Sequence, residues 1–573
     1  MVKISILDGY IDEPTCLGVP PYISPYPRYI AGAIWDFDKK INISYFTIDQ
    51  IRKERSLIEV LSSSDIVIVI AGMSVPGKYL SGYPVSPYEL VTILERQTKP
   101  MKLLCGPAAR YGFGLSGGKK TIDTKYVDNV FDAKIKGDCE IVLTSILHSN
   151  YDFEKEDLDK CREKADEIRN YAILGSKIVS QHPFFPNYLI AEIETYRGCP
   201  RSIVGGCSFC SEPSKGLPDF RQIKDIVDEV QSLYKTGVRH FRIGNQPCIF
   251  SYMAKDAGKK EFPKPNPLAV ESLFRGIRSV APDCKTLHID NANPGVISRY
   301  PKESRLIVKS IVKYHTPGDV AAFGVESVDP FVIKKNNLKA NEEEIYSAIK
   351  LINEIGRNIG LNGMPELLPG LNFVFGLEGE TRKTFDLDFN FLKKILNNGL
   401  LIRRINLRQI IPIPGTKMYP EAMKIVNKNK KYFKKFKRKV KDEIEHQMLK
   451  KVIPKDTVLT DVYSEIYKGK TTFGRQMGSY PILVGIPGNI DLEKFFNVKV
   501  IGHGYRSITA LIHPIDINNA DRVTIENIPG VGPKRARRIL LNRPFKSKDE
   551  FISSLDDPNV GKDILKFLSF EKH

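Results

Sequence analysis

Three cysteines, Cys199, Cys207 and Cys210, lie close together in the chain. Cys207 and Cys210 form a C-x-x-C pair, and a Gly205-Gly206 bend separates them from Cys199. Thiolates this near to one another are soft ligands that suit zinc or an iron–sulfur cluster. A structural zinc normally has four protein ligands, whereas three thiolates on a [4Fe–4S] cluster leave one iron open. We expect a cluster, with zinc, a redox dithiol or buried structural cysteines as the alternatives.

Six strand-like segments alternate with helical stretches downstream of a first α/β region. Helical periodicity is clear in Ile223–Lys235 and in Glu342–Ile355. This alternation predicts a parallel, barrel-like βα repeat, whose active residues lie where strands end and loops begin. The cysteine loop follows the first of these strands. The six segments are Leu189–Thr195, His240–Gly244, Thr286–Asp290, Val320–Val325, Leu371–Phe375 and Arg404–Ile411.

The N-terminal region, residues 1–150, has the pattern of an open α/β domain. Lys3–Leu7, Asp65–Ala71 and Met101–Cys105 are short apolar runs typical of buried parallel strands. Ser86–Gln97, between two of them, has helical periodicity. The charged segment 151–185 is predicted to be a helical connector.

A basic, helical segment, Tyr419–Lys451, follows the predicted barrel. It carries nine closely spaced cations with Tyr432, Phe433 and Phe436 interleaved. One interpretation is a solvated helix whose aromatic stripe packs on the core. We favour contact with a polyanion, because one sign of charge at this density is costly without an anion nearby. The cations are Lys428, Lys430, Lys431, Lys434, Lys435, Lys437, Arg438, Lys439 and Lys441.

Two small modules complete the chain. Thr471–Ile517 has short β runs with glycines, which predicts a small β-barrel. Val523–Leu541 predicts two helices joined at a hairpin, where glycines permit the bend and a helix N-terminus attracts phosphate. The predicted nucleic-acid contacts here are Gly530, Gly532, Lys534, Arg535, Arg537 and Arg538.

The bulk composition is that of a soluble, multidomain protein. The chain has 573 residues, of which 42% are hydrophobic and 27% charged. No apolar run approaches the roughly 20 residues that span a bilayer, so we expect a cytoplasmic protein without membrane contact. The net charge of +19 favours an anionic partner, with nucleic acid first and a generally lysine-rich surface as the alternative.

The cysteine loop and the barrel together resemble the radical S-adenosylmethionine (radical SAM) superfamily. The resemblance implies a [4Fe–4S] cluster on Cys199, Cys207 and Cys210, with SAM bound to the open iron. It also implies an electron donor and reductive cleavage of SAM to a 5′-deoxyadenosyl radical. The usual spacing is C-x3-C-x2-C, and C-x7-C-x2-C here is a departure that a loop can absorb.

Further motifs support the resemblance across about residues 185–420. They are Phe241–Gln246, His288–Asn291, the GxES-like Phe323–Ser327, the GLPGET-like Asn372–Thr381 and the PGT exit of Arg404–Thr416. The resemblance implies SAM-binding roles, and it singles out no catalytic side chain. The implied cofactor-binding residues are Phe209, Gly244, Asn245, Gln246, Asp290, Asn291 and Glu326.

The flanking regions resemble known modules too. Leu7–Pro14 and Leu17–Ser24 are similar to the Rossmann-like domain of radical SAM proteins related to cobalamin binders. The D-x-H-x-x-G cobalt signature is absent, so cobalamin stays an optional cofactor without a ligand residue. The β region is similar to a TRAM domain and the tail to a helix-hairpin-helix. The layout resembles that of tRNA methylthiotransferases, and the chain also resembles uncharacterised archaeal radical SAM proteins. A second cluster on Cys16, Cys105 and Cys139 is the weaker option.

The expected architecture is α/β. It comprises a Rossmann-like domain (1–150), a connector (151–185), a radical SAM partial (βα)6 barrel (186–420), a basic helical segment (421–460), a TRAM/OB-like β domain (461–517) and a helix-hairpin-helix (518–573). The expected function is reductive SAM cleavage that modifies nucleic acid, tRNA, other RNA or DNA, by methylation or methylthiolation. The alternatives are a small-molecule or cofactor-precursor substrate, and a non-catalytic nucleic-acid-binding protein with a structural metal.

Overall fold

A computed structural model describes residues 2–10, 21–72, 83–114 and 116–570. These residues form an N-terminal α/β layer, a curved parallel sheet with outer helices, a closed β-barrel and a group of short C-terminal helices. The predicted α/β class and the predicted small β-barrel are confirmed. Cys16 and most of the segment around it lie outside the described residues. Within the described ranges, every helix is too short or too polar to cross a bilayer.

The N-terminal layer is a five-stranded parallel sheet in the order β3-β1-β4-β5-β6. The central strand, Ile66–Ile70, is apolar on both faces and all its side chains are buried, because helices cover both sides. The elements are β1 Lys3–Asp8, β2 Tyr22–Ile23, α1 Pro25–Phe37, β3 Asn42–Thr47, α2 Ile48–Lys53, α3 Leu57–Ser63, β4 Ile66–Ile70, α4 Pro87–Leu94, β5 Met101–Cys105, α5 Pro107–Tyr111, β6 Ala133–Lys134 and α6 Cys139–His148.

The N-terminal region is joined to the central sheet. Strand β2 pairs in parallel with the first strand of the central sheet, through Tyr22 with Ile190 and Ile23 with Ala191. The segment 151–185, predicted as a helical connector, is a series of short helical turns. It consists of short 3-10 turns and α7 (Arg169–Leu174), which pack against α1. The cysteines Cys105 and Cys139 are both buried and contact each other.

The central sheet contains all six predicted strands. The third strand splits: β11 pairs with β10, and the following β12 pairs with β13, so the two four-stranded sheets form one parallel arc from β7 to β15. The elements are β7 Ile190–Glu194, β8 Tyr196–Arg197, β9 Asp219–Phe220, α8 Ile223–Thr236, β10 His240–Gly244, α9 Pro267–Val280, β11 Thr286–Ile289, β12 Asn291–Ala292, α10 Pro294–Arg299, α11 Pro301–Tyr314, β13 Asp319–Glu326, α12 Pro330–Lys335, α13 Glu342–Gly356, β14 Leu367–Phe375, α14 Arg382–Asn397 and β15 Arg404–Gln409.

The C-terminal third starts with the basic helix and continues into the barrel. The barrel closes in the order β16-β17-β18-β20-β19, and β16 begins at Val458, three residues before the predicted boundary at 461. The elements are α15 Ala422–Val440, α16 His446–Val452, β16 Val458–Lys468, β17 Thr471–Gln476, β18 Leu483–Pro487, β19 Phe495–His503, β20 Ser507–Ile512, β21 Ile515–Asp516, α17 Arg522–Glu526, α18 Gly532–Leu541, α19 Lys548–Ser553, α20 Pro558–Leu565 and β22 Leu568–Ser569.

Candidate active site

The long gap between the first two cysteines is folded into one helical turn. Pro200–Val204 form a 3-10 helix that ends at Gly205 and Gly206, both with positive φ (78° and 64°). The Gly206 N–H donates to the Arg201 carbonyl at 2.9 Å, which returns the chain to its starting point. A Cβ on Gly206 would lie 2.2 Å from Cγ of Pro213, so only glycine fits. The residues by which the C-x7-C gap exceeds the usual C-x3-C gap are therefore folded into this turn, and they do not move the thiols apart.

The three thiols line one small cavity of about 70 Å³ at the end of the first central strand. The cavity is also lined by Arg201, Lys339 and Cys248, none of which the sequence analysis identified. Each comes from a different loop at the carboxyl ends of the parallel strands, where the fold places reactive groups. The tertiary structure thus surrounds the cysteines with two cations and a fourth thiol.

Hydrogen-bond donors point at two of the sulfur atoms. Arg201 Nη1 donates to Cys207 Sγ at 2.9 Å, and the Glu212 backbone N–H donates to Cys210 Sγ at 3.4 Å. Arg201 is itself fixed by an ion pair with Glu261 at 2.8 Å and by a hydrogen bond to the Asn337 carbonyl at 2.8 Å. Donors to sulfur stabilise thiolate charge and tune bound clusters.

Burial disfavours thiolates in the site unless a positive group binds. It raises the pKa of Cys199 to about 11, and it also holds the pKa of Cys210 well above its usual range. Burial lowers the pKa of Lys339, but Glu326 (3.4 Å away) and the thiolates of Cys207 and Cys210 outweigh it, so the net shift is upward. A coordinated metal overcomes the cost of thiol ionisation.

The donor set fits an iron–sulfur cubane. Within the described ranges, no three Cys, His, Asp or Glu side chains gather closely enough to hold a single metal ion. A [4Fe–4S] cluster needs a wider arrangement, because its thiolates bind different corners of the cubane. Three cysteines around one cavity, with Arg201 and Lys339 beside them, match a three-thiolate cluster better than a tetrahedral zinc site.

Cys248 is the residue that sequence reasoning missed most clearly. It lies just beyond β10, is 3% exposed, and its sulfur accepts the Asn293 N–H at 3.1 Å. The Tyr196 hydroxyl donates to the Cys248 carbonyl at 2.6 Å and fixes this loop. Its position directly after the Phe241–Gln246 motif was the available signal.

Some of the predicted SAM-binding residues gather at one edge of the sheet. Asn245, with φ of 52°, donates its amide to Glu194 at 3.1 Å, and Asn291 donates to the Gln246 carbonyl at 3.2 Å. Gly244 is required by packing, because a Cβ there would lie 2.4 Å from Glu192 Oε1. These residues follow β10 and β11, on the side where the cysteines lie. Their contacts with SAM stay a prediction.

Phe209 and Glu326 occupy different surroundings. Phe209 packs in an apolar cluster with Cys207, Met418 and Val426 instead of lining the cavity. Glu326 ends β13 in a left-handed conformation, with φ of 62°, and its carboxylate lies 3.4 Å from the Lys339 ammonium. A strained non-glycine residue at a strand end is typical of functional sites.

Asp290 belongs to a buried charge network. Its carboxylate lies 2.6 Å from Arg242 Nη2 and accepts the Tyr480 hydroxyl at 2.8 Å. Arg242 also pairs with Glu192 at 2.9 Å, and the side chains of Arg242, Glu192 and Asp290 are at most 1% exposed. The cofactor contact that the resemblance implies for Asp290 would have to share a carboxylate that already pairs with Arg242 and Tyr480.

The β-barrel supplies one wall of the central sheet's interior. The loop between β17 and β18 enters the interior, where Ser479 N–H donates to His288 Nδ1 at 2.9 Å. Arg403 donates to the Tyr480 carbonyl at 2.9 Å, and the Arg404 guanidinium lies 4.2 Å from the Tyr480 ring centroid. The predicted separate β module is therefore part of the catalytic core's packing.

The predicted nucleic-acid residues lie on the surface around α17 and α18. Gly530 and Gly532 have φ of 90° and 60° at the hairpin between the helices. Lys534, Arg537 and Arg538 are exposed. Arg535 pairs with Asp556 at 2.7 Å and also donates to the Gly530 carbonyl. The helix-hairpin-helix assignment and its phosphate contacts stay predictions, and Asp556 offsets part of the charge.

A buried acid beneath the Glu326 loop predicts a pH effect on stability. Burial raises the pKa of Asp388 to about 8, although Ser327 and the Val328 N–H bond its carboxylate. The folded state keeps a proton that the unfolded chain releases near pH 4, so stability falls as pH rises from about 4 to 8. Asparagine does not titrate. Between pH 6 and 8 we therefore expect the free energy of unfolding of Asp388→Asn to fall by roughly 1–2 kcal/mol less than that of the parent protein.

Thermal unfolding at the two pH values measures this difference. Asp386→Asn, on the exposed face of the same helix, is the matched control. Its free energy of unfolding should change with pH as that of the parent protein does. The same dependence of the free energy of unfolding on pH in Asp388→Asn and in the parent protein would refute the prediction.

The chain has relatives among known proteins. Residues 193–392 match the family model for the radical SAM superfamily. The uncharacterized protein MJ0274 of Methanocaldococcus jannaschii is 49% identical over 511 residues, 88% of this chain and 92% of that protein. An uncharacterized protein of Archaeoglobus fulgidus is 41% identical over 99% of both chains. The ribosomal protein uS12 methylthiotransferase RimO of Carboxydothermus hydrogenoformans is 23% identical over 34% of this chain and 39% of RimO.

Solved structures with a similar chain trace include two SAM-dependent enzymes. The radical SAM methyltransferase TsrM of Kitasatospora setae has a TM-score of 0.45 at 14% identity and covers 73% of this chain and 75% of its own. The cobalamin-dependent SAM radical enzyme OxsB has a TM-score of 0.47 at 10% identity, with 76% and 56% covered.

Proposed function

The chain belongs to the radical SAM superfamily, and from that premise we propose that this enzyme modifies nucleic acid by group transfer of the methylation or methylthiolation type. The superfamily's cofactors are a [4Fe–4S] cluster and SAM, and the bound cluster supplies the electron for reductive SAM cleavage. Cys199, Cys207 and Cys210 would hold the cluster. Arg201 and Lys339 would offset its negative charge, and the surrounding loops would exclude water.

The observation that carries the nucleic-acid proposal is the attachment of the basic helix to the cysteine loop. The first turns of α15 contribute Ala422 and Val426 to the apolar cluster that contains Cys207 and Phe209. The Met418 N–H also donates to the Ser208 carbonyl at 3.0 Å. The basic surface is therefore held at a fixed distance from the reacting centre.

The charge on this helix is exposed and uncompensated. All nine cations between Lys428 and Lys441 are exposed, and none has a carboxylate within salt-bridge distance in the described part of the chain. The aromatic residues face inward: Phe433 and Phe436 pack on Phe375, 5.2 and 5.1 Å between ring centroids. The aromatic stripe therefore packs on the core, and the cations lie on the exposed part of the same helix.

The relatives bear on the reaction more than on the target. RimO is a methylthiotransferase, which supports group transfer, but its named target is a ribosomal protein. The nucleic-acid target is supported by the cations of α15 and by the exposed Lys534, Arg537 and Arg538. A small-molecule substrate is the alternative, and it does not account for the concentration of exposed cations on α15.

Charge removal on α15 tests the proposal. Lys430→Gln, Lys434→Gln and Lys437→Gln, made together, neutralise one face of the helix. If these side chains contact phosphates, RNA affinity at 0.1 M salt should fall about 10–100-fold and the log–log salt slope should lose about two to three units. Fluorescence anisotropy with labelled RNA across a salt series measures both quantities, and SAM cleavage checks that the site is intact.

A matched variant removes the same charge elsewhere. Lys302→Gln, Lys309→Gln and Lys313→Gln lie exposed on α11, at the outside of the central sheet. This variant should bind RNA like the parent protein. Equal losses in both triple variants, or binding that does not depend on salt, would contradict the proposal.

A further inference from the structure

A second cavity lies where three parts of the molecule meet. It has a volume of about 330 Å³, within the roughly 300–1,000 Å³ range of small-molecule sites. Its walls come from the N-terminal layer, from the segment before β7 and from the β-barrel. Asn187 lines it and precedes β7, whereas Cys199 follows that strand. The cavity therefore lies at the opposite edge of the central sheet from the cysteine site.

One wall of this cavity is aromatic. Tyr188 and Tyr463 stack with ring centroids 3.8 Å apart and 16° between their planes. Phe495 lies 5.0 Å from Tyr463 and 6.5 Å from Tyr188. All three line the cavity. Tyr188 and Tyr463 are buried in this stack, so the half-buried Phe495 is the ring that we expect a planar ligand to stack on.

The rest of the lining is polar and matches the edge of a heterocycle. Asp49 and Gln50, from the first turn of α2, lie in the lining with Asn187 and Glu493. Amide side chains both donate and accept hydrogen bonds, and carboxylates accept from ring N–H and exocyclic amino groups. One Asp49 oxygen is held by Arg52 at 2.8 Å, which orients the carboxylate.

Two lining residues adopt costly backbone conformations. Tyr10 has φ of 56° and Glu493 has φ of 61°, although neither is a glycine. The Glu493 N–H donates to the Ser464 carbonyl at 2.8 Å, which holds this residue at the cavity's mouth. Left-handed conformations of bulky residues persist where the surroundings enforce them, and they cluster at ligand sites.

Cations are placed for a phosphate beside the ring. Lys53 is exposed and lines the cavity. The Lys285 ammonium lies 5.7 Å from the centroid of the Phe495 ring. A stacking wall, a hydrogen-bonding edge and flanking lysines are the parts that recognise a nucleotide.

We propose that this cavity binds the base of a nucleotide, with a preference for bases that carry an amino group. Two carboxylates at the polar edge favour guanine, adenine and cytosine over uracil. The base has two sources: a free nucleotide, or a nucleotide flipped out of a nucleic-acid strand. The second source rests on the proposed function, and the first does not.

Isothermal titration calorimetry with the full-length, cluster-loaded protein tests the site. The probes are guanosine, adenosine, cytidine and uridine 5′-monophosphates and a mixed-sequence single-stranded RNA. Phe495→Leu keeps an apolar side chain but removes the stacking face, and should weaken binding of the recognised probe about tenfold. Tyr505→Leu is the matched control, because Tyr505 is another barrel aromatic beneath a lysine, 4.1 Å from Lys441, and does not line the cavity.

A second variant tests base preference without touching the aromatic wall. Glu493→Gln removes one negatively charged acceptor from the cavity lining. The affinity for guanosine monophosphate should fall severalfold, and the affinity for uridine monophosphate should stay unchanged. Uridine monophosphate binding as tightly as guanosine monophosphate in the parent protein would overturn the preference.

The outcomes separate the two sources and the two proposals. Monophosphate binding that weakens in Phe495→Leu and not in Tyr505→Leu supports the site with a free nucleotide. RNA binding with this pattern, without monophosphate binding, supports a flipped-out base. If neither probe distinguishes the variants, the site is refuted, while salt-dependent RNA binding through α15 would still stand. Nucleotide binding without RNA binding would refute the proposed function and keep the site.

Discussion

Replacing Cys210 by serine should remove the cluster and reduce SAM cleavage by about 10³-fold or more. The remaining thiols of Cys199 and Cys207 cannot hold a cubane on their own, and a serine hydroxyl is a poor ligand for iron. The long first gap does not weaken this expectation, because the turn Pro200–Val204 returns the chain and brings all three thiols to one cavity.

Iron and sulfide counting after anaerobic reconstitution, with 5′-deoxyadenosine release under dithionite, measures this effect. Cys161→Ser is the matched control, because Cys161 is exposed and does not line the cavity. It should keep about four irons and the activity of the parent protein. A Cys210→Ser protein with a full iron complement would refute the ligand assignment, and Cys248, in the same cavity, would then be the thiol to replace next.

Replacing Arg242 by methionine should destabilise the central sheet by about 3–5 kcal/mol. The substitution removes the cation that pairs with the buried carboxylates of Glu192 and Asp290, and removing one partner of a buried ion pair carries a penalty of this size. Tyr480→Phe removes one hydrogen bond to Asp290 and keeps the ring over Arg404, so about 1–2 kcal/mol is expected.

Hydrogen exchange of the β10 amides measures both losses, because it reports local opening in a chain with several domains. Arg305→Met is a control, since Arg305 forms a half-exposed ion pair with Glu354 on the outer helices. Protection of β10 that falls equally in Arg242→Met and Arg305→Met would contradict the buried-network argument.

The Tyr480 contact changes how the substrate question should be tested. Deleting residues 460–573 would remove the β-barrel, and it would also uncover Arg242 and Asp290 in the interior of the central sheet. Loss of activity in that truncation would not distinguish an RNA substrate from a damaged core. Surface charge variants on α15 avoid this difficulty, because their side chains point away from the fold.

The sequence by itself indicated the cofactors and most of the local structure. The thiol spacing favoured a cluster over zinc, and the resemblance to the radical SAM superfamily implied three cluster ligands. The apolar runs located all six central strands, because strand periodicity and buried β-branched residues are local signals. Helices such as α13, Glu342–Gly356, were evident from their helical periodicity, and the structure adds the cap at Asn341. The small β-barrel was predicted from its glycine-punctuated β runs.

Only the tertiary structure decided which distant residues share a site. Lys339 and Cys248 join the cysteines from separate loops, and Tyr480 enters the central sheet from the β-barrel. The split of the third strand was not predicted. These features depend on contacts between residues far apart in the chain, and the local pattern of a sequence does not encode which surfaces will meet.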